Sequence, residues 1–160
     1  WQDRRVMLAL EQLVSMTGVM VGLGVQSDIY AQYITVLPPP SPVPYQLRPG
    51  AIRPVTRCGI GWALLSQRLR RRVNAKEEDR TLHVSAATLG GQIAAVRRLG
   101  YAFSRHTWQP GVGIIAMALP RPIGGRWCAI GAAGDVPSLD AAEASIAGHL
   151  RAVTQGLDIP

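Results

Sequence analysis

Two cysteines, three histidines and one run of backbone amides are the groups in this sequence suited to chemistry. Cys58 stands just before Gly59-Ile60-Gly61, at the start of a helix predicted over 60–71 whose apolar face carries Trp62, Leu65 and Leu69. Amides in a first helical turn have no intrahelical acceptor and lie at the positive end of the dipole, so they suit a carboxylate or a phosphate. The same dipole lowers a thiol pKa, which leaves Cys58 open as a nucleophile or redox centre, although no base is placed beside it by sequence. Neither Cys58 nor Cys128 has metal-ligand spacing, and both lie in apolar or glycine-rich surroundings. They read as inert, partly buried thiols of a reducing cytoplasm. His83, His106 and His149 fall in a loop, beside a hairpin and on the terminal helix, without the convergence that metal binding or acid–base catalysis needs. His106 is kept as a ligand contact, and His149 as a surface or interface residue. No catalytic triad, P-loop or dinucleotide fingerprint is present, so no enzyme and no cofactor are read.

The elements that must position these groups centre on 100–134. Strands are predicted at 111–119 and 126–133, joined by a Pro/Gly-rich turn at 120–125, and the preceding helical pattern, with Leu89, Ile93 and Val96, stops at Gly100. Neither strand alternates cleanly between apolar and polar residues, so both faces of the hairpin have to be covered. Gly113, Ala116, Ala118, Ala129, Gly131, Ala132 and Ala133 leave room above the sheet, either for a small molecule or for a closely packed helix. Earlier in the chain, 2–16 carries a helical stripe of Val6, Leu10 and Leu13, ended by Gly18. A second hairpin follows at 19–26 and 29–37. Residues 38–44 are a stiff proline connector, 45–55 is extended, 74–83 reads as a short helix plus loop, and Ser85 is an N-cap. The stripe Leu139, Ala142, Ile146, Leu150, Val153 and Leu157 marks a terminal amphipathic helix starting at Pro137-Ser138. These elements make an α+β fold with an antiparallel sheet flanked by helices.

With 160 residues and 48% hydrophobic content, the chain is sized for one globular domain with its own core. No apolar run approaches the roughly 18 residues of a membrane span. The first residue is Trp1 and no signal peptide precedes the fold, which reads as a piece of a longer protein. A net charge of +7 admits nucleic acid, anionic surfaces or anionic ligands. No aromatic residue interleaves with Arg68, Arg70, Arg71 and Arg72, and Glu77, Glu78 and Asp79 follow, which describes a solvated mixed-charge face rather than a stacking platform.

Several short motifs occur in order: Arg48-x-Gly50, Pro54, Gly59-x-Gly61-x-Ala63-Leu64-Leu65, a helix end from Ile93 closing on Gly100-Tyr101-Ala102, and Pro110-Gly111-Val112 before an apolar strand. Together they resemble the effector-binding domain of IclR-type bacterial transcriptional regulators over nearly the whole chain. The resemblance implies a GAF-like, profilin-like fold that senses a ligand and assembles a homodimer or homotetramer. Operator DNA would be bound by an N-terminal winged helix-turn-helix absent from this sequence. On that expectation, 1–17 is a helix leading in from the missing domain, and 18–160 is the effector-binding domain of a cytoplasmic regulator with no membrane partner. The family's pocket falls on Gly59 and Ile60 (backbone amides), Ser104, Ile114, Gly131 and Ala133, with His106 added by its position. Of those columns only Ser104 is polar here, so the expected effector is an aromatic or otherwise hydrophobic organic acid held by its carboxylate. A thiol-dependent enzyme using Cys58, and a ligand-free dimerisation module with Ile114 and Met117 filling the pocket, are the alternatives.

Overall fold

The computed structural model describes residues 3–67 and 86–158. The predicted helix and loop at 74–83, the Arg68–Arg72 cluster, His83 and the Ser85 cap lie outside them. Helix α1 (Arg4–Thr17) starts where the Asp3 carboxylate accepts the Arg5 and Val6 amides at 2.9 and 3.3 Å. It stops where Gly18 takes φ +70° and returns its N–H to the Val14 carbonyl at 2.8 Å, a left-handed turn that glycine makes without strain. Strands β1 (Met20–Ser27) and β2 (Tyr30–Leu37) form the first hairpin. Beyond the proline connector come β3 (Ile52–Pro54), a 3-10 turn (Val55–Arg57) and helix α2 (Gly59–Gln67). Helix α3 (Ala86–Leu99) leads into β4 (Ala102–Arg105), β5 (Val112–Ala118) and β6 (Cys128–Asp135), and helix α4 (Val136–Gly156) closes the fold.

The six strands of the described residues join one antiparallel sheet in the order β3-β2-β1-β6-β5-β4. Both predicted hairpins are present, fused along β1 and β6. Two of these strands were not expected from the sequence: β3 lies within a stretch read only as extended, and β4 within 102–105, to which no element was assigned.

Both faces of the sheet are covered, as its lack of alternation requires. One face presents Val21, Leu23, Val25, Ile115, Met117, Cys128, Ile130 and Ala132 to Val6, Leu10 and Leu13 of α1 and to Leu139, Ile146 and Leu150 of α4. The other presents Met20, Ala31, Tyr33, Ile114, Ala116, Ala129 and Ala133 to Ile60, Leu64 and Leu65 of α2 and to Leu89 and Val96 of α3. Met117 is therefore on the α4 side, where its sulfur accepts the Thr154 hydroxyl at 3.2 Å. The collapsed-pocket alternative named the wrong residue there, because Ile114 and Met117 differ by an odd number along one strand and point to opposite faces.

Candidate functional site

Cross-strand pairing builds the site in rows. Ser104 of β4 pairs with Ile114 of β5, Ile114 with Ala133 of β6, and Ala133 with Met20 of β1. The neighbouring row is Ala102, Ala116, Gly131, Gly22 and Val36. Four of the residues expected at the pocket, Ser104, Ile114, Gly131 and Ala133, thus occupy adjacent places on one buried face, with the first turn of α2 laid over them.

The approach of α2 is close. A methyl group at Gly59 would stand 2.8 Å from Ser104 Oγ, and one at Gly61 would run into the Val55 backbone, so the helix start reaches the sheet only as Gly-x-Gly. The side chain of Ile60 fills the space that the sheet's small residues leave. A methyl at Gly24 would meet its Cγ2 at 2.8 Å, and one at Gly131 its Cδ1 at 2.9 Å and Ile114 Cγ2 at 3.0 Å. Part of the predicted room above Gly131 is taken by helix packing.

Three buried side-chain oxygens are without a hydrogen-bond partner among the described residues: Tyr33 Oη, Thr56 Oγ1 and Ser104 Oγ. Each residue is 2% exposed or less. Buried hydroxyls are nearly always paired, so these three mark the surroundings of the α2 start as unusual. Ser104 is one of the pocket columns that the resemblance implies; nothing in the local pattern of Tyr33 or Thr56 says that their hydroxyls are buried.

Cys58 is at the N-cap of α2 and its sulfur accepts the Gly61 N–H at 3.3 Å. It is 1% exposed, and burial pushes its thiol up to about 11, outweighing the Gly61 amide and Arg53, which pull it down. The helix dipole was expected to lower this pKa; desolvation wins because the thiol is wholly inside the core. A thiolate nucleophile is not prepared here. Burial likewise raises Cys128 to about 11.

His106 is exposed in the β4–β5 turn at φ +63°, where its Nδ1 accepts the Gly111 N–H at 2.9 Å. It is engaged by the turn and is not one of the buried groups at the α2 start. His149 is half-buried in a groove of about 420 Å³ between α1 and α4, beside the exposed side chains of Leu8 and Met16. A cavity of about 390 Å³ opens under the proline connector. Met20 and Val36 form its floor, Pro38, Pro42, Val43 and Tyr45 its walls, and Gln46 and Arg48 its polar edge. Met20 and Val36 end the two rows just described, so the cavity lies on the same sheet face as Ala133 and Gly131. Among the described residues no group of three His, Cys, Asp or Glu side chains is arranged to hold a metal ion, and no helix is long and apolar enough to cross a membrane.

Residues 4–159 match the C-terminal domain of IclR bacterial transcriptional regulators. The chain belongs to the IclR family. Solved structures agree in fold. The effector domain of an IclR regulator from Acinetobacter sp. ADP1 superposes with TM-score 0.88 at 24% identity, covering 98% of this chain and 95% of that one. Thermotoga maritima IclR superposes with TM-score 0.71 at 15% identity, over 96% of this chain and 67% of that one. An IclR-family regulator from Brucella abortus gives 0.75 at 14%, over 99% and 65%. No curated protein matches the sequence. The IclR family and these neighbours are transcriptional regulators rather than enzymes, and this chain is an IclR-family C-terminal regulatory domain.

Proposed function

We propose that this domain senses a small organic acid with an apolar body and, as part of a homodimer or homotetramer, passes that signal to an operator-binding winged helix-turn-helix at residues preceding 1–17, in the cytoplasm. The carboxylate is held by the Gly59 and Ile60 amides and by Ser104, with Ile114, Gly131 and Ala133 against the body. His106 contacts a ligand only where one reaches the β4–β5 turn. The observation that carries this reading is the Ser104 hydroxyl, 1% exposed, without a hydrogen-bond partner among the described residues and 2.8 Å from where a methyl group on Gly59, in the first turn of α2, would stand. A hydroxyl donor and a helix N-terminus that converge are suited to one anionic oxygen pair. The row Ser104–Ile114–Ala133–Met20 leads from that point toward the cavity under the proline connector, which supports an effector larger than a two- or three-carbon acid.

A second reading, a module that assembles without a ligand, is favoured by Ile60 and Ile114 over Gly131. Thermal unfolding against a panel of aliphatic and aromatic carboxylic acids separates the two. A ligand bound only by the folded state adds about 2.7 kcal/mol at a hundredfold excess over its Kd. Stabilisation by apolar acids that is lost in Ser104→Ala is the expected result; no stabilisation by any acid favours the assembly module.

A further inference from the structure

We propose that the outer face of α1, with the groove between α1 and α4, is where a second copy of this chain docks, the two α1 helices lying antiparallel across a two-fold axis at Gln12. This rests on the homo-oligomer reading above and gives it a surface. The inner stripe of α1, Val6, Leu10 and Leu13, is taken up by the sheet. A second stripe, Arg5, Leu8, Gln12 and Met16, recurs at spacings of three and four on the outward side and lines the groove of about 420 Å³. Leu8 is 54% and Met16 39% exposed, whereas the groove beside them is floored by the small residues Ala9, Ala152 and Gly156. Protruding apolar side chains next to a shallow apolar floor make a surface complementary to itself, which a two-fold contact requires.

The charges of α1 select a second copy as the occupant and set its direction. Apart from the Asp3 cap, α1 has no acidic residue in its first turn and no basic residue in its last. Arg4 and Arg5 stand exposed at the positive end of the dipole, where cations are disfavoured, and the negative end carries no cation of its own. An antiparallel second α1 corrects both ends at once, because the arginines of each copy reach the last turn of the other. A parallel copy would set arginine against arginine. With Gln12 on the axis, Leu8 of each copy lies over Met16 of the other, eight residues or about 12 Å along the helix. The two Gln12 carboxamides then face each other, and each can donate one hydrogen bond and accept one.

Sedimentation equilibrium of the 160-residue chain over a concentration series tests the proposal. The wild type is expected to associate. Leu8→Glu and Met16→Glu, both at exposed positions, should keep the wild-type circular dichroism and weaken association about thirtyfold, the scale of a central interface contact. The double variant Arg4→Glu, Arg5→Glu should weaken association about tenfold yet raise the melting temperature of the dilute monomer, since acidic side chains suit a helix start. Gln12→Cys should form a disulfide between copies under mild oxidation, whereas Cys58 and Cys128 are buried and stay reduced. Wild-type association in both Leu8→Glu and Met16→Glu overturns the proposal and leaves the homo-oligomer reading standing on another surface. Failure of Gln12→Cys to link overturns the two-fold arrangement at Gln12. A wild type that stays monomeric over the whole series overturns this surface and the homo-oligomer reading together, and leaves the face to a different partner.

Discussion

The Ser104 hydroxyl is buried without a hydrogen-bond partner among the described residues. Burying such a group unpaired costs about 1–3 kcal/mol, so Ser104→Ala should melt at or above the wild-type temperature while its affinity for a carboxylate effector falls about tenfold, both measurable on one sample set. Cys58 makes the opposite point. With its pKa pushed up to about 11, the native thiol should react with iodoacetamide at pH 7.5 more than a hundredfold slower than in the denatured chain. Rapid, selective labelling of native Cys58 would restore the thiol-enzyme alternative. Its place before a helix was plain in the sequence, but its depth was not, because burial depends on strands far away in the chain. Gly61 is fixed by the same crowding. A methyl group there has no room beside the Val55 backbone, and Gly61→Ala should cost about 4 kcal/mol or more in chemical denaturation.

At the scale of elements, helix ends and hairpins were legible because each has a local cause. Gly18 and Gly100 both take positive φ and return their N–H groups to Val14 and Val96, as their positions after apolar stripes led one to expect. β3 and β4 span three and four residues, too few to show a period, and exist because longer neighbours offer them an edge. Helix α4 was expected to start at Pro137-Ser138; its actual cap is Asp135, whose carboxylate accepts both the Ser138 amide, at 3.0 Å, and the Ser138 hydroxyl, at 2.6 Å. Those bonds hold the Asp135 carboxyl below its ordinary range. The cap's contribution is therefore present above that range and is lost as pH falls through the lowered value. Asp135→Ala should cost about 1 kcal/mol at neutral pH and nothing in strong acid, as thermal melts at the two pH values will show. Gly148 lies mid-helix on the exposed side of α4, with nothing within 4 Å of a methyl group. Gly148→Ala should stabilise the domain by about 1 kcal/mol.

For the whole molecule, alkaline pH is the sensitive direction. Cys58 and Cys128 keep their protons to about 11 in the fold but lose them near 9 when unfolded, so stability should fall as pH rises from 9 toward 11. A Cys58→Ala, Cys128→Ala double variant should flatten that fall in melts across the range. The α+β class and the family were readable from motif order, whereas the interior of the candidate site was only half so. The columns Ser104, Ile114, Gly131 and Ala133 do come together, but that Ile60 fills the gap above Gly131 follows from how α2 lies on the sheet, which no local pattern encodes.

The seam between β1 and β6 joins residues 20–25 to residues 128–133. A chain leaving the ribosome can form its first hairpin early, yet the inner edge of β1 has no partner until more than a hundred further residues have been made. Pairings this distant in sequence slow folding and leave strand edges open to other chains in the meantime. Production of this domain should accordingly depend on translation speed and chaperone supply, and a chain cut before Cys128 should aggregate rather than fold.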